Sequence, residues 1–249
     1  PVFKWSWPDD GCGEPSFEVQ VDDSCPVTGF ESCGFPSPEA SADAASGREW
    51  RPAVDLPVST EIPVGRRYYW RMRACRGDLC SGWSHVRYVD VGRVECDLNG
   101  DGFSDLAVGA MGQREGAEQE GNVFVYLGGA AGIAASPYLS LDNPGNAIWG
   151  KMGMSISAGG DVNADGYSDL IAGAPGQDDH GAAFLYLGSA AGVPDLPTQS
   201  FISEDPMSQA MFGFPVTVLR DMNLDGFADL AIGSHGQDVR YISDGAVSV

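Results

Sequence analysis

The chain has 249 residues, 43% of them hydrophobic and 10% aromatic, enough to bury real cores and to exclude global disorder. Thirty-five Asp and Glu against fourteen Lys and Arg set a formal charge of −21, a field that repels polyphosphates and excludes nucleic acid as a partner. No apolar run approaches the roughly 20 residues of a membrane helix, and no signal-peptide pattern stands at the start.

The length suits two domains, and two chemistries meet near residue 95. Residues 1–95 hold ten basic and fifteen acidic side chains; residues 96–249 hold four and twenty. Cys12, Cys25, Cys33, Cys75 and Cys80 lie in the first segment, with Cys96 at the junction. An even count without a CxxC pair favours disulfides and an extracytoplasmic compartment, against six reduced core thiols in a cytosolic protein. Thirty-four Gly and sixteen Pro, spread along the chain, predict many tight turns and short strands.

In residues 1–95, Phe3/Trp5/Trp7, Phe17/Val19/Val21 and Tyr68/Trp70/Met72/Ala74 each fall on one face, with Lys4, Glu18, Gln20, Arg71 and Arg73 opposite. That is the period of half-buried strands, and the turns between them suit a β-sandwich. The run Tyr68–Ala74 followed by Ser81-Gly-Trp-Ser84 resembles the last two strands of a fibronectin type III domain, and Trp5/Trp7 with Phe17–Val21 resemble its second and third. On this resemblance the first strand is missing, and the Cys-rich stretch 25–50 has no counterpart. Cys75 and Cys80 would then flank the last hairpin, Cys25 and Cys33 form another local pair, and Cys12 with Cys96 follows only by elimination. Arg71, Arg73 and Trp83 are expected to stack as cation and ring. Between Cys75 and Cys80 lies Arg76-Gly77-Asp78, the tripeptide that integrins recognise. It reads either as a bridged recognition loop or as an ordinary solvated hairpin turn.

Residues 96–249 are repetitive. Asp97–Asp105 (DLNGDGFSD), Asp161–Asp169 (DVNADGYSD) and Asp221–Asp229 (DMNLDGFAD) start 64 and then 60 residues apart. Each leads into an apolar run ending in Gly-x-x-Gly-Gln, and GNVFVYLGGAAGI at Gly121 is echoed by GAAFLYLGSAAGV at Gly181. A period near 60 with several strands per unit predicts propeller blades. Strand 1 would lie at Met152–Ala158 and Phe214–Leu219, strand 2 after the Asp loop, strand 3 in VFVYL or AFLYL, and strand 4 near Tyr138–Leu141 and Ser200–Ser203. Runs such as Leu106-Ala-Val and Phe184-Leu-Tyr-Leu are nearly all apolar, as expected of strands covered on both faces. The chain carries about two and a half such blades, and a propeller closes with about 4 to 8, so it reads as truncated at both ends.

The pattern D-x-N-x-D-G-x-x-D offers oxygen ligands at positions 1, 3, 5 and 9, and the carbonyl of position 7 can supply another. The candidate ligands are Asp97, Asn99, Asp101, Phe103 and Asp105; Asp161, Asn163, Asp165, Tyr167 and Asp169; and Asp221, Asn223, Asp225, Phe227 and Asp229. Dense hard oxygen ligands select Ca²⁺, and glycine at position 6 lets the loop curl around it. An EF-hand would need Glu at position 12, where Val108, Ala172 and Ile232 stand. These units resemble FG-GAP repeats, the blades of the seven-bladed propeller of integrin α subunits. The FG step matches Phe212-Gly213 and, more loosely, Trp149-Gly150; GAP is complete at Gly173-Ala174-Pro175 and partial at Gly109-Ala110-Met111 and Gly233-Ser234-His235. The first unit lacks a clear FG step, so its strand 1 is expected to be irregular or borrowed. The resemblance implies three calcium sites in a scaffold that binds another macromolecule.

His85, His180 and His235 are isolated, and no GxSxG, HExxH, P-loop or dinucleotide fingerprint is present. His180 beside Asp178 and Asp179 reads as a solvated turn rather than a catalytic dyad. The expectation is therefore an all-β, non-enzymatic, calcium-binding adhesion module on a cell surface or in the extracellular space, with a protein or glycan ligand. Association to complete the propeller is a further expectation. The alternative is a carbohydrate-binding or accessory part of a larger secreted enzyme. Calcium loops occupy turn 1–2, and the length-variable connections 114–120, 178–180 and 238–244 form turn 2–3 on the opposite face, where partners are expected.

Overall fold

The computed structural model describes residues 1–6, 13–114, 118–203, 211–234 and 246–247. The fold is all-β with antiparallel sheets. It divides into two compact units, Pro1–Thr60 with Gly65–Arg93 and Glu61–Val64 with Val94–Val249. Residues 61–64 leave the first unit because the Val64 N–H donates to the Gly100 carbonyl at 2.8 Å and Pro63 lies against Gly100. No helix among the described residues is long and apolar enough to cross a membrane.

The first unit contains β1 (Phe3–Lys4), β2 (Ser16–Asp22), β3 (Ala40–Ala45), β4 (Glu49–Trp50), β5 (Arg66–Arg76), β6 (Leu79–Cys80) and β7 (Arg87–Val91). β1 and β4 pair by themselves, while the larger sheet runs β3-β2-β5 with both β6 and β7 on β5. Phe17, Val19 and Val21 alternate inward as expected. Strand β1 stops at Lys4, Trp5 is half-buried, and Trp7 lies outside the described residues.

The single apolar face expected on β5 is a correction. Tyr69 is as deeply buried as Tyr68. Tyr68 joins Phe3, Val21 and Leu56 on one side, whereas Tyr69 joins Phe30, Phe35, Val86 and Cys25 on the other. Residues 25–35, closed by the Cys25–Cys33 disulfide, supply this second cover. Arg71 lies over Phe35 and Trp83 at 4.4 Å each, and Arg73 over Trp83 at 4.7 Å, so the expected stack forms.

The second unit holds three sheets: β8 (Leu106–Ala110), β9 (Asn122–Tyr126) and β10 (Leu139–Asp142); β11 (Ser155–Ala158), β12 (Leu170–Ala174), β13 (Ala182–Tyr186) and β14 (Gln199–Ile202); and β15 (Phe212–Val218), β16 (Leu230–Ser234) and β17 (Ala246–Val247). The middle sheet is a complete four-stranded meander, β11-β12-β13-β14. Its even-numbered residues, Leu170, Ala172, Ala174, Ala182, Phe184 and Tyr186, pack toward Val123, Val125 and Leu141 of the first sheet. Its odd-numbered residues, Ile171, Ala183 and Leu185, pack toward Val216, Leu230 and Ile232 of the third. Two covered faces turn the period-2 alternation into a continuous apolar run.

Two expectations change in this unit. Leu106 and Val108 are exposed, because among the described residues no sheet covers the outer face of β8. The FG step of the middle blade is Met152-Gly153, three residues beyond Trp149-Gly150. Met152 bridges Gly121 as Phe212 bridges Gly181, and the Gly153 carbonyl faces Gly109 as the Gly213 carbonyl faces Gly173. A Cβ on Gly109 or Gly173 would stand 2.0 or 1.9 Å from those oxygens, closer than any two such atoms can come. The glycines of GAP therefore exist to admit the FG carbonyl of the next blade. The first sheet has three strands among the described residues, with no strand 1 ahead of its Asp loop.

Candidate metal centre

The three Asp loops are built alike. The position 1 carboxylate curls the chain by accepting the N–H groups of positions 5 and 6: Asp101 and Gly102 on Asp97 at 3.1 and 2.7 Å, Asp165 and Gly166 on Asp161 at 2.9 and 2.8 Å, Asp225 and Gly226 on Asp221 at 3.1 and 2.8 Å. Position 5 in turn accepts the N–H of position 7 at 3.0 Å in all three. Position 3 donates its amide Nδ2 to the position 5 carboxylate at 2.8–3.0 Å. Position 6 is left-handed, as expected, at φ 88, 101 and 98°.

Position 4 is left-handed too, at φ 72, 58 and 65°, and this was not legible. Only Gly100 signals it; Ala164 and Leu224 carry a Cβ in the same conformation, which L-residues adopt at a cost of about 1–2 kcal/mol.

The position 9 carboxylate performs a second task. In Asp105 one oxygen accepts the Leu98 N–H and the other the Gly128 N–H, both at 2.7 Å. Asp169 does the same with Val162 at 2.6 Å and Gly188 at 2.8 Å. It thus ties the loop to the turn after strand 3 of its own blade. Spacing could not reveal this, because Gly128 and Gly188 lie about 20 residues downstream in sequence.

All candidate donors are oxygens, and their charges strain one another. Burial raises the Asp97, Asp105 and Asp169 carboxyls above the usual carboxylate range, and the neighbouring loop aspartates push the same way. Asp169, fully buried, is pushed up to about 7 even though Gly188 and Val162 donate to it. The set therefore fits a divalent hard cation, which would favour the ionised form. The carboxylates do not close into a tight three-acid cluster. Among the described residues, such groups of acid or thiol ligands occur at Glu18/Cys75/Cys80 and Asp22/Asp23/Glu39. The first is consumed by a disulfide. In the second, Asp23 pairs with Arg66 and Asp22 accepts the N–H groups of Ser24 and Ser37.

A pH dependence follows. An unfolded Asp titrates near 4, so between about 4 and 7 the metal-free native chain holds a proton on Asp169 that the unfolded chain has released. That contribution stabilises the metal-free fold at low pH and is lost as pH rises through about 7. A cation needs the ionised form, so it must expel the proton. The gain in melting temperature from calcium is expected to be large at pH 8 and much smaller at pH 5.5. Melts with Ca²⁺ and EDTA at both values measure it, and an equal gain at both pH values contradicts the assignment.

Residues 95–126 and 152–187 match the FG-GAP repeat. The matched stretches contain the first two Asp loops, and the third loop repeats their hydrogen bonds. Integrin alpha-5 of Xenopus laevis is 33% identical over 174 residues, covering 66% of this chain and 16% of that protein. Human integrin alpha-IIb is 33% identical over 178 residues, 68% of this chain and 16% of the relative. Drosophila melanogaster integrin alpha-PS2 is 31% identical over 201 residues, 76% of this chain and 14% of the relative. The chain thus spans about one sixth of the length of the integrin alpha chains it resembles. The FG-GAP stretches and these relatives support an integrin-type propeller segment, and the antiparallel sheets agree with propeller blades.

Other predicted residues fall away from these loops. Cys25–Cys33 and Cys75–Cys80 are disulfides. Cys96 carries a free thiol that donates to the Ala158 carbonyl at 3.0 Å, and Cys12, its partner by elimination, lies outside the described residues. β5 and β6 pair Cys75 with Cys80 and Arg76 with Leu79, leaving Gly77-Asp78 as a two-residue turn. The Arg76 guanidinium donates to the Gly13 carbonyl at 3.0 Å, while Asp78 is exposed. Asp178 accepts from the Gln177 side chain at 2.9 Å. His235, residues 115–117 and residues 238–244 are outside the described residues.

Proposed function

We propose that residues 96–249 are a calcium-stiffened, non-enzymatic recognition scaffold of the integrin α type, working in adhesion outside the cell. The observation that carries the reading is the threefold repetition of one hydrogen-bonded Asp loop, each at the same place in its blade. Each loop gathers three carboxylates, a side-chain amide oxygen and the position 7 carbonyl within nine residues. That is a dense hard-oxygen set of the kind that holds calcium, beyond what the backbone bonds of Asp105 and Asp169 alone call for. Phe103, Tyr167 and Phe227 contribute the position 7 carbonyls, and the other named loop residues contribute side-chain oxygens. The cation supplies charge neutralisation; the chain supplies the curl, the clamp on the strand 3–4 turn and the rigid blade stack.

The domain reading is two modules meeting near residue 95. A fibronectin type III-like sandwich is supported by β1 lying in a separate sheet from β2 and by the β3-β2-β5 order. Two disulfides support an oxidising compartment. The partner is a protein on a cell surface or matrix, held by the face opposite the calcium loops, where the 2–3 and 4–1 connections lie.

The test is binding of the purified chain to immobilised matrix proteins and to a glycan array, with and without Ca²⁺. Calcium-dependent protein binding is expected; glycan binding alone would replace this reading with the accessory-lectin one. In a separate assay, adhesion of integrin-bearing cells to the immobilised chain, Asp78→Glu is expected to leave adhesion unchanged, because Arg76 is engaged by Gly13 and the turn is an ordinary hairpin. A marked loss of adhesion would instead make Arg76-Gly77-Asp78 a recognition loop.

A further inference from the structure

The Asp loops are not independent of one another. The position 8 N–H of each later loop donates to the position 1 carbonyl of the loop before it: Ser168 to Asp97 and Ala228 to Asp161, both at 2.9 Å. The first junction carries more. The Asp97 N–H donates back to the Ser168 hydroxyl at 3.2 Å, so Ser168 both gives and takes at one residue of loop 1. Ser189 donates to the Leu98 carbonyl at 3.2 Å. The Tyr167 ring covers Gly100, where an added Cβ would stand 2.6 Å from the ring. In loop 3 position 8 is Ala228, which has no hydroxyl to return the bond.

Tyr167 and Ser168 are positions 7 and 8 of loop 2, and position 7 is a proposed ligand. A cation that fixes the Tyr167 carbonyl therefore also fixes the ring and the Ser168 N–H that hold loop 1. We infer that loops 1 and 2 bind calcium cooperatively, with Ser168 as the coupling residue, and that loop 3 is coupled less. This rests on the calcium reading above. The ordering that the first cation achieves need not be repeated for the second, so the coupling is positive. Loss of negative charge on binding the first cation works in the opposite direction, but it is screened within about 8 Å at physiological salt, whereas the hydrogen bonds are not.

Amide resonances of Gly102, Gly166 and Gly226 report each loop separately in a calcium titration of the whole chain. Asp101→Asn removes a ligand charge from loop 1 while keeping an oxygen for the Phe103 N–H. It is expected to lower the affinity read at Gly166 by about fivefold or more, the low end of common coupling. Asp225→Asn in loop 3 should lower it less. In a Ser168→Ala background the effect of Asp101→Asn should shrink, because half of the reciprocal pair is gone. A Gly166 midpoint unchanged by Asp101→Asn overturns the cooperativity, and an undiminished effect in Ser168→Ala removes Ser168 from it. Failure of the underlying reading looks different: none of the three glycines would move with calcium.

Discussion

Removing calcium with EDTA is expected to lower the melting temperature of the second unit by about 4–20 °C. For extracellular modules, dissociation constants of about 0.1–1 mM at 2 mM free Ca²⁺ correspond to about 0.6–1.8 kcal/mol per occupied site. Three sites sum to about 2–5 kcal/mol, and a unit of this size shifts by about 2–4 °C per kcal/mol. Asp165→Ala should remove at least a third of the difference, and more where loop 1 depends on loop 2, since it deletes the ligand on which the Tyr167 N–H and the Asn163 amide also converge. The first unit, held by two disulfides and its own aromatic clusters, should melt alike in both conditions. Superimposable melts of the second unit in calcium and EDTA would refute the assignment.

Gly173→Ala is expected to be among the most damaging single methyls in the described residues, at about 3 kcal/mol or more, the upper end of overpacking costs. Its Cβ would meet the Gly213 carbonyl oxygen at 1.9 Å and the Val216 side chain at 3.3 Å. The obstacle is the backbone of another blade, on a strand whose five residues are all buried, so neither side can yield without opening the stack. Gly112→Ala is the control, with nothing within 4 Å of the added atom, and should stay within about 0.5 kcal/mol. Urea melts of both variants compare them. A Gly173→Ala loss no larger than that of Gly112→Ala would mean the blades do not pack at this glycine.

Much of the second unit was legible because its signals are local and repeated. Nine residues encode a loop that closes on itself through bonds spanning two to seven positions, so three copies announce three loops. Strands 2 and 3 followed from apolar runs, and strand 4 shifted by only one residue, from Tyr138–Leu141 to Leu139–Asp142. The first unit was harder to read. Its alternation located β2, but β5 carries Tyr68 and Tyr69 side by side in two different cores, a feature that a one-face pattern cannot express.

The all-β character, the repeat, the position of every Asp loop and two local disulfides were legible from residue order alone, because each depends on residues near one another in the chain. Which glycine carries the FG step of the middle blade was settled by packing, since Gly153 finds its meaning in a contact with Gly109 of the neighbouring blade. Packing likewise set Asp105 and Asp169 on the strand 3–4 turn of their blades. Cys96 keeps its thiol, directed at Ala158 more than sixty residues away. In each case the partner is distant in sequence, and a chain of side-chain types does not state which distant backbone groups close packing will bring within 3 Å of one another.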